Sequence, residues 1–262
     1  MVTPDCEQVQ QQSHSWVGQR PDALSCWIWQ LDLDELRLDE DQLSGWLSVH
    51  EKERAGRLSN RILRERFLKS RYILRGVLAL CLACKPSDIY FLLNKNGKPA
   101  LDGVDSKGLR FNLSHSGSRM VLAVGQDVAL GVDVEGIRDV TDILRLGKRF
   151  FTLEEFQQLQ SWPQEHREQA FLACWTRKEA VVKAFGAVMW QWMGHFQVNI
   201  DPHASPRIID SDSTLPDLSQ CRLYPLTGMT PAIGVLAAQK KLVHVCYQPV
   251  MSWMAQFDHA CL

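Results

Sequence analysis

Asp133 and Glu135 stand two residues apart in Gly131-Val132-Asp133-Val134-Glu135. In an extended chain, residues i and i+2 face the same side. Two acids then project from one face, with Val132 and Val134 on the other. Like charges that close repel each other, and a hard divalent cation such as Mg²⁺, which takes oxygen ligands, relieves the repulsion. The plainer alternative is a solvated strand end carrying two acids. A second group lies in Trp175-Thr176-Arg177-Lys178-Glu179-Ala180-Val181-Val182-Lys183. Helical spacing puts Trp175, Glu179 and Lys183 on one stripe. Glu179 would add a third carboxylate to a metal site, and Lys183, one turn on, could meet a phosphate. The alternative is a surface ion pair between Glu179 and Lys183, with Trp175 in the core.

A third group is Phe111-Asn112-Leu113-Ser114-His115-Ser116-Gly117. Hydroxyls and a His at a strand end can grip a phosphate, or they can simply form a polar hairpin turn. Neighbouring residues on a strand point apart, so Ser114 and His115 do not form a nucleophile–base pair with each other. No G-x-S-x-G elbow is present. The fourth group is a basic run, Arg54, Arg57, Arg61, Arg64, Arg66, Lys69, Arg71 and Arg75. It reads either as a solvated helix face or as a cradle for phosphates, whose oxygens suit Arg forks.

The elements that must position these groups follow from hydrophobic period. Residues 1–25 form a polar lead-in. Ser25 to Leu33 alternates as a strand, and Leu43 to Leu82 is mostly helical, with the basic helix within residues 51–82. Asn94 to Pro99 is a turn. Strands are expected at Leu109 to Leu113, Met120 to Val124 and Ala129 to Val134. Helices follow at Phe150 to Gln160 and Glu165 to Phe185. Short strands then run at Phe196 to Ile200, Arg207 to Ile209, Cys221 to Leu226, Ala232 to Ala238 and Leu242 to Tyr247. Helix then strands, twice over, predicts an α+β fold of two similar halves, residues 1–130 and 131–262.

The chain has 262 residues, 45% hydrophobic and 23% charged, with a formal net charge of −1. That balance gives no electrostatic reason to expect nucleic acid or a membrane surface as partner. No apolar run is long enough to span a bilayer, and the polar N-terminus is unlike a signal peptide. A cytoplasmic location is expected. The eight Cys are scattered, and Cys81-x-x-Cys84 lacks the second ligand pair of a zinc site, so burial is the expected role.

Together, F-N-L-S-H-S, G-V-D-V-E and W-T-R-K-E-A-V-V-K-A-F-G resemble the Sfp-like 4′-phosphopantetheinyl transferases. Asn96-Gly97-Lys98-Pro99 is similar to that family's G-K-P turn, and Phe150-Phe151-Thr152-Leu153-Glu154-Glu155 to its F-F-x-x-x-E segment. The likeness covers roughly residues 45 to 186. After Gly186 the chain departs, reading Ala187 to Gly194 where many relatives have a short Gly-Leu segment. The resemblance implies two α+β halves with the site in the cleft between them. It implies transfer of the phosphopantetheine arm of coenzyme A to a serine of an acyl or peptidyl carrier protein, with release of 3′,5′-ADP, as in holo-[acyl-carrier-protein] synthases. Asp133, Glu135 and Glu179 would hold Mg²⁺. Glu179 or Glu155 would act as base, and Lys183 would serve the leaving group. His115 with Arg54 and Arg66 would contact the 3′-phosphate, and Lys98 and Ser114 would line the nucleotide site. A monomer is expected. Fatty-acid, polyketide, polyunsaturated-fatty-acid and non-ribosomal-peptide carriers all remain open. The rival enzyme reading is another Mg²⁺-dependent phosphoryl or nucleotidyl transferase, although no P-loop is present. The rival of another class is a module binding nucleic acid or an acidic protein through the basic helix, weakened steeply by salt.

Overall fold

The computed structural model describes residues 17–38, 40–102, 106, 108–137 and 142–249. Most of the polar lead-in expected over 1–25 therefore lies outside the described residues. Strand β1 (Ser25–Asp32) alternates as its sequence requires. Its Trp29 and Leu31 enter one core, and Cys26 and Ile28 enter another. Helices α1 (Glu40–Gly45), α2 (Val49–Gly56) and α3 (Arg61–Leu82) follow. Ser48 and Glu51 close a capping box at the start of α2, and the Asn60 side chain caps α3, each satisfying backbone donors that the first helical turn leaves open. The hairpin β2 (Phe91–Leu93) and β3 (Pro99–Leu101) leads to β4 (Leu109–Ser116) and β5 (Arg119–Gln126).

The second half begins with β6 (Leu130–Gly136), then α4 (Ile143–Phe150), α5 (Leu153–Ser161), α6 (Arg167–Phe185) and α7 (Met189–Trp192). The small hairpin β7 (Phe196–Val198) and β8 (Ile208–Ser211) precedes β9 (Arg222–Pro225), β10 (Ala232–Ala238) and β11 (His244–Tyr247). Sheet order is β11-β1-β5-β4 in one sheet and β6-β10-β9 in the other. In both, the first strand of its half pairs antiparallel with a later strand, which pairs antiparallel with the one before it. The mixed α+β class thus stands, with helices, a small hairpin and then sheet strands in each half. The last strand, β11, leaves the second half and lies parallel on β1, covering an edge that would otherwise expose unpaired backbone groups.

The two sheets share a core of Cys26, Ile28, Val121 and Ala123 against Val132, Val134, Leu236 and Ala238. Helix α3 covers the outer face of the first sheet, and α6 that of the second. The expected helix Phe150 to Gln160 corresponds to α5, and a separate helix, α4, precedes it. Phe151 is extended, and Thr152 starts α5 with a capping box to Glu155. Cys81 is a buried free thiol, pushed up to about 12 by burial. Among the described residues no helix is long and apolar enough to cross a membrane.

Gly131 is where β6 meets α6. A Cβ there would lie 2.0 Å from the Ala180 carbonyl oxygen and 2.3 Å from the Ala184 nitrogen. Both are backbone atoms, so the strand or the helix would have to move. Gly131→Ala should therefore lower unfolding free energy by about 3 kcal/mol, read as a drop in the urea midpoint. An unchanged midpoint would contradict this close approach.

Candidate active site

Alternation on β6 separates the two roles of its sequence. Val132 and Val134 are buried between the sheets, while Gly131, Asp133 and Glu135 face α6. On α6, Glu179 and Lys183 occupy one stripe, with Lys183 Nζ 3.1 Å from Glu179 Oε2. The same ammonium lies 2.5 Å from Asp133 Oδ1 and donates to Ser114 Oγ at 3.2 Å. Ser114 Oγ in turn donates to Asp133 Oδ1 at 3.0 Å. Trp175, on the same stripe, is taken up by Phe150 and Phe171 as core.

No ladder joins β4 to β6; side chains bridge them instead. Asn112 Oδ1 accepts from Val132 N at 2.7 Å, and Ser116 Oγ donates to Glu135 Oε2 at 2.9 Å. Asn112, Ser114 and Ser116 are thus the face of β4 that reaches β6, where the period of two puts them. The structure therefore brings Ser114, Asp133, Glu135, Glu179 and Lys183 to one place at the seam between the two sheets.

Asp133 is 2% exposed. Burial pushes its carboxyl up to about 7, with Lys183 opposing and Glu179 and Glu135 adding to the rise. Burial alone would lower Lys183, but Asp133 and Glu179 outweigh it and hold the ammonium above its ordinary value. Asp133 Oδ2 is buried with no hydrogen-bond partner among the described residues, which is rare for a charged oxygen and calls for an occupant. Among the described residues no three His, Cys, Asp or Glu side chains converge as a metal site; Lys183 stands between Asp133 and Glu179. The orphaned Oδ2 and the all-oxygen donor set nonetheless fit a hard cation such as Mg²⁺.

The opposite face of β4 carries His115, which is exposed. Its imidazole is lowered by burial of part of the ring and then by the positive charges of Arg71, Lys183 and Arg54. Arg54 and Arg71 both lie against the Phe67 ring, at 5.4 and 5.5 Å. Arg66 is forked on Asp34 at 2.9 and 2.5 Å. Lys69 donates to the Leu33 carbonyl, and Arg75 to Glu51 and to the carbonyls of Pro86 and Ile89.

Lys98 also has a structural post. Its ammonium donates to the carbonyls of Leu130 (2.9 Å) and Ala184 (3.4 Å), and Asn94 and Asn96 donate to Gly186 O. The turn of the β2–β3 hairpin thereby caps the C-terminus of α6, where cations and donors are favoured. Burial lowers Lys98 to about 8. In this arrangement Lys98 fixes the helix that carries Glu179 and Lys183.

Glu155 is placed apart from the cluster. It is fully buried and ion-paired with Lys178 at 2.8 and 2.7 Å. Its oxygens also accept from Val198 N at 2.7 Å and Thr152 N at 2.8 Å, and Lys178 donates onward to the Phe196 carbonyl. A carboxylate so enclosed has no acceptor free for a substrate proton, so of the two acids suggested as base only Glu179 faces the cluster.

Residues 129–230 match the family model for the 4′-phosphopantetheinyl transferase superfamily, and residues 39–127 match the model for the N-terminal part of 4′-phosphopantetheinyl transferases. The chain is 35% identical over 227 residues to the 4′-phosphopantetheinyl transferase HetI of Nostoc sp., covering 85% of this chain and 94% of the relative. It belongs to the 4′-phosphopantetheinyl transferase family. Other relatives are psf-1 of Bacillus pumilus, 31% identical over 70% of this chain and 77% of its own, and Sfp of Bacillus subtilis, 26% identical over 67% and 77%. The two transferase models abut in the turn between β5 and β6. Ser114, His115, Arg54 and Arg71 fall in the first, and Asp133, Glu135, Glu179 and Lys183 in the second.

Proposed function

We propose that the protein transfers the 4′-phosphopantetheine group of coenzyme A to a serine hydroxyl of an acyl or peptidyl carrier protein, releasing 3′,5′-ADP, as a holo-[acyl-carrier-protein] synthase does. The observation that carries the reading is Asp133, held by Lys183 and Ser114 with a buried, unpartnered Oδ2. Such a carboxylate is poorly explained by folding alone and well explained by a polyanion site that holds a cation.

Asp133, Glu135 and Glu179 would hold Mg²⁺, which supplies neutralisation of diphosphate charge when bound. The carrier serine oxygen forms a bond to the phosphorus next to pantetheine, and the bond from that phosphorus to the bridging oxygen breaks. Glu179 takes the serine proton, directly or through water. Lys183 orients the diphosphate and gives a proton to the departing 3′,5′-ADP. Ser114 keeps Asp133 and Lys183 in register. His115 and Arg54, on the other face of β4, hold the 3′-phosphate. Most of the rate then comes from positioning and charge neutralisation. The carriers in view are those of fatty-acid, polyketide and non-ribosomal peptide synthesis, in the cytoplasm, with the transferase acting as a monomer.

Incubation with an apo carrier protein, coenzyme A and Mg²⁺ should raise the carrier's intact mass by about 340 Da, and EDTA should abolish the gain. A carrier panel left unmodified would overturn the reading.

A further inference from the structure

Three side chains of β4, two residues apart, stand in for a ladder at the seam. Asn112 Oδ1 accepts from Val132 N, Ser114 Oγ donates to Asp133 Oδ1, and Ser116 Oγ donates to Glu135 Oε2 at 2.9 Å. Ser116 Oγ also accepts from Gly136 N at 3.2 Å. A serine hydroxyl has one proton and two lone pairs. The Gly136 amide occupies a lone pair, so the hydroxyl proton is turned towards Glu135.

The strand end that carries Ser116 is itself fixed. Ser116 pairs with Arg119 across the two-residue turn Gly117-Ser118. Gly117 takes the positive φ, 61°, that such a turn favours. Ser118 Oγ donates to Asp32 Oδ2 at 2.8 Å, and the Ser118 carbonyl accepts from Leu33 N at 2.8 Å. Arg119 donates to the Met229 carbonyl at 3.0 Å. The hairpin tip is thus tied to the end of β1 and to the loop between β9 and β10. Glu135 is the opposite case: half-buried near the end of β6, it carries its carboxylate on a chain of rotatable bonds. That freedom must be lost before it can hold a cation. Asp133 is held by Lys183 and Ser114, and Glu179 by Lys183. Ser116 gives Glu135 a corresponding hold.

Resting on the proposed cation site, we infer that Ser116 is a positioning residue for the metal. It orients Glu135 in advance, so the carboxylate is ordered before the cation arrives. Ser118, two residues on, has the same hydroxyl but gives it to Asp32 and serves the fold.

The test measures two quantities for the wild type, Ser116→Ala, Ser116→Cys, Ser116→Thr and Ser118→Ala. One is the Mg²⁺ concentration for half-maximal carrier modification. The other is the Kd of Mn²⁺ in the presence of coenzyme A, read by electron paramagnetic resonance, since Mn²⁺ suits the same oxygen ligands as Mg²⁺. Ser116→Ala should raise both by about 10- to 100-fold. Excess Mg²⁺ should restore its rate, with KM for coenzyme A then unchanged. Ser116→Cys, a weaker donor, should fall between, and Ser116→Thr should match the wild type. Ser118→Ala should keep the wild-type Mg²⁺ demand, whatever its melting temperature. A rate lowered equally at every Mg²⁺ concentration, a rise in KM for coenzyme A alone, or an unchanged Kd for Mn²⁺ would each overturn the inference. So would the same Mg²⁺ shift in Ser118→Ala. Should the wild type modify no carrier, the function fails, while the Mn²⁺ measurement still decides the role of Ser116. A wild type that binds no Mn²⁺ would remove the cation site and this inference with it.

Discussion

Asp133→Asn is expected to slow carrier modification by about 10³-fold or more while leaving the melting temperature within a few degrees of the wild type. Asn has the same shape and can still accept from Ser114, but it brings no charge to Lys183 or to a cation. Loss of roughly 4 kcal/mol of charge stabilisation corresponds to a thousandfold in rate. The fold has less to lose, because Asp133 is 2% exposed and its carboxylate pays a burial penalty that a neutral amide avoids. Lys183 retains Glu179 at 3.1 Å. Activity that collapses while stability holds is the mark of a group kept for chemistry. A time course of carrier mass, paired with a thermal melt, measures both. A near wild-type rate would remove Asp133 from the site, and a large fall in melting temperature would make it a structural ion pair.

Much of this site is legible in the sequence because it rests on short periods. The period of two on β6 sets Asp133 and Glu135 against α6, and the i,i+4 spacing joins Glu179 to Lys183. The meeting of strand and helix is also foreshadowed by Gly131, although only coordinates show the backbone pressed against it. What the sequence hides is the accounting of charges. Arg66 and Arg71 look alike in a basic helix, and their surroundings part because Asp34, after β1, reaches one of them, while among the described residues no carboxylate hydrogen-bonds the other. The carbonyl partners of Lys98 lie 32 and 86 residues away, beyond the reach of any local spacing. The start of α5 is legible, since Thr152 and Glu155 have the spacing of a capping box. That same signal points to Glu155 as a residue serving the fold.

The buried pair of Glu155 and Lys178 is the second place where a large effect is expected, and there stability falls first. Both side chains are 0% exposed. Glu155→Gln leaves a buried ammonium without its counter-charge, and Lys178→Met leaves a buried carboxylate. Each should cost about 3–5 kcal/mol, a fall of roughly 10 °C in melting temperature for a chain of this size. Changing both to apolar residues, as Glu155→Leu with Lys178→Met, should recover part of the loss, because no charge is then stranded. Recovery stays incomplete because the amide hydrogens of Val198 and Thr152 lose their acceptor. The pair ties α5 to α6 and β7, so its loss loosens the helix that carries Glu179. At a temperature where Glu155→Gln is still folded, its rate per folded molecule should stay within a few-fold of the wild type. A rate as low as that of Asp133→Asn, with the melting temperature preserved, would instead make Glu155 a catalytic acid–base group and require the buried pair to open in the working enzyme.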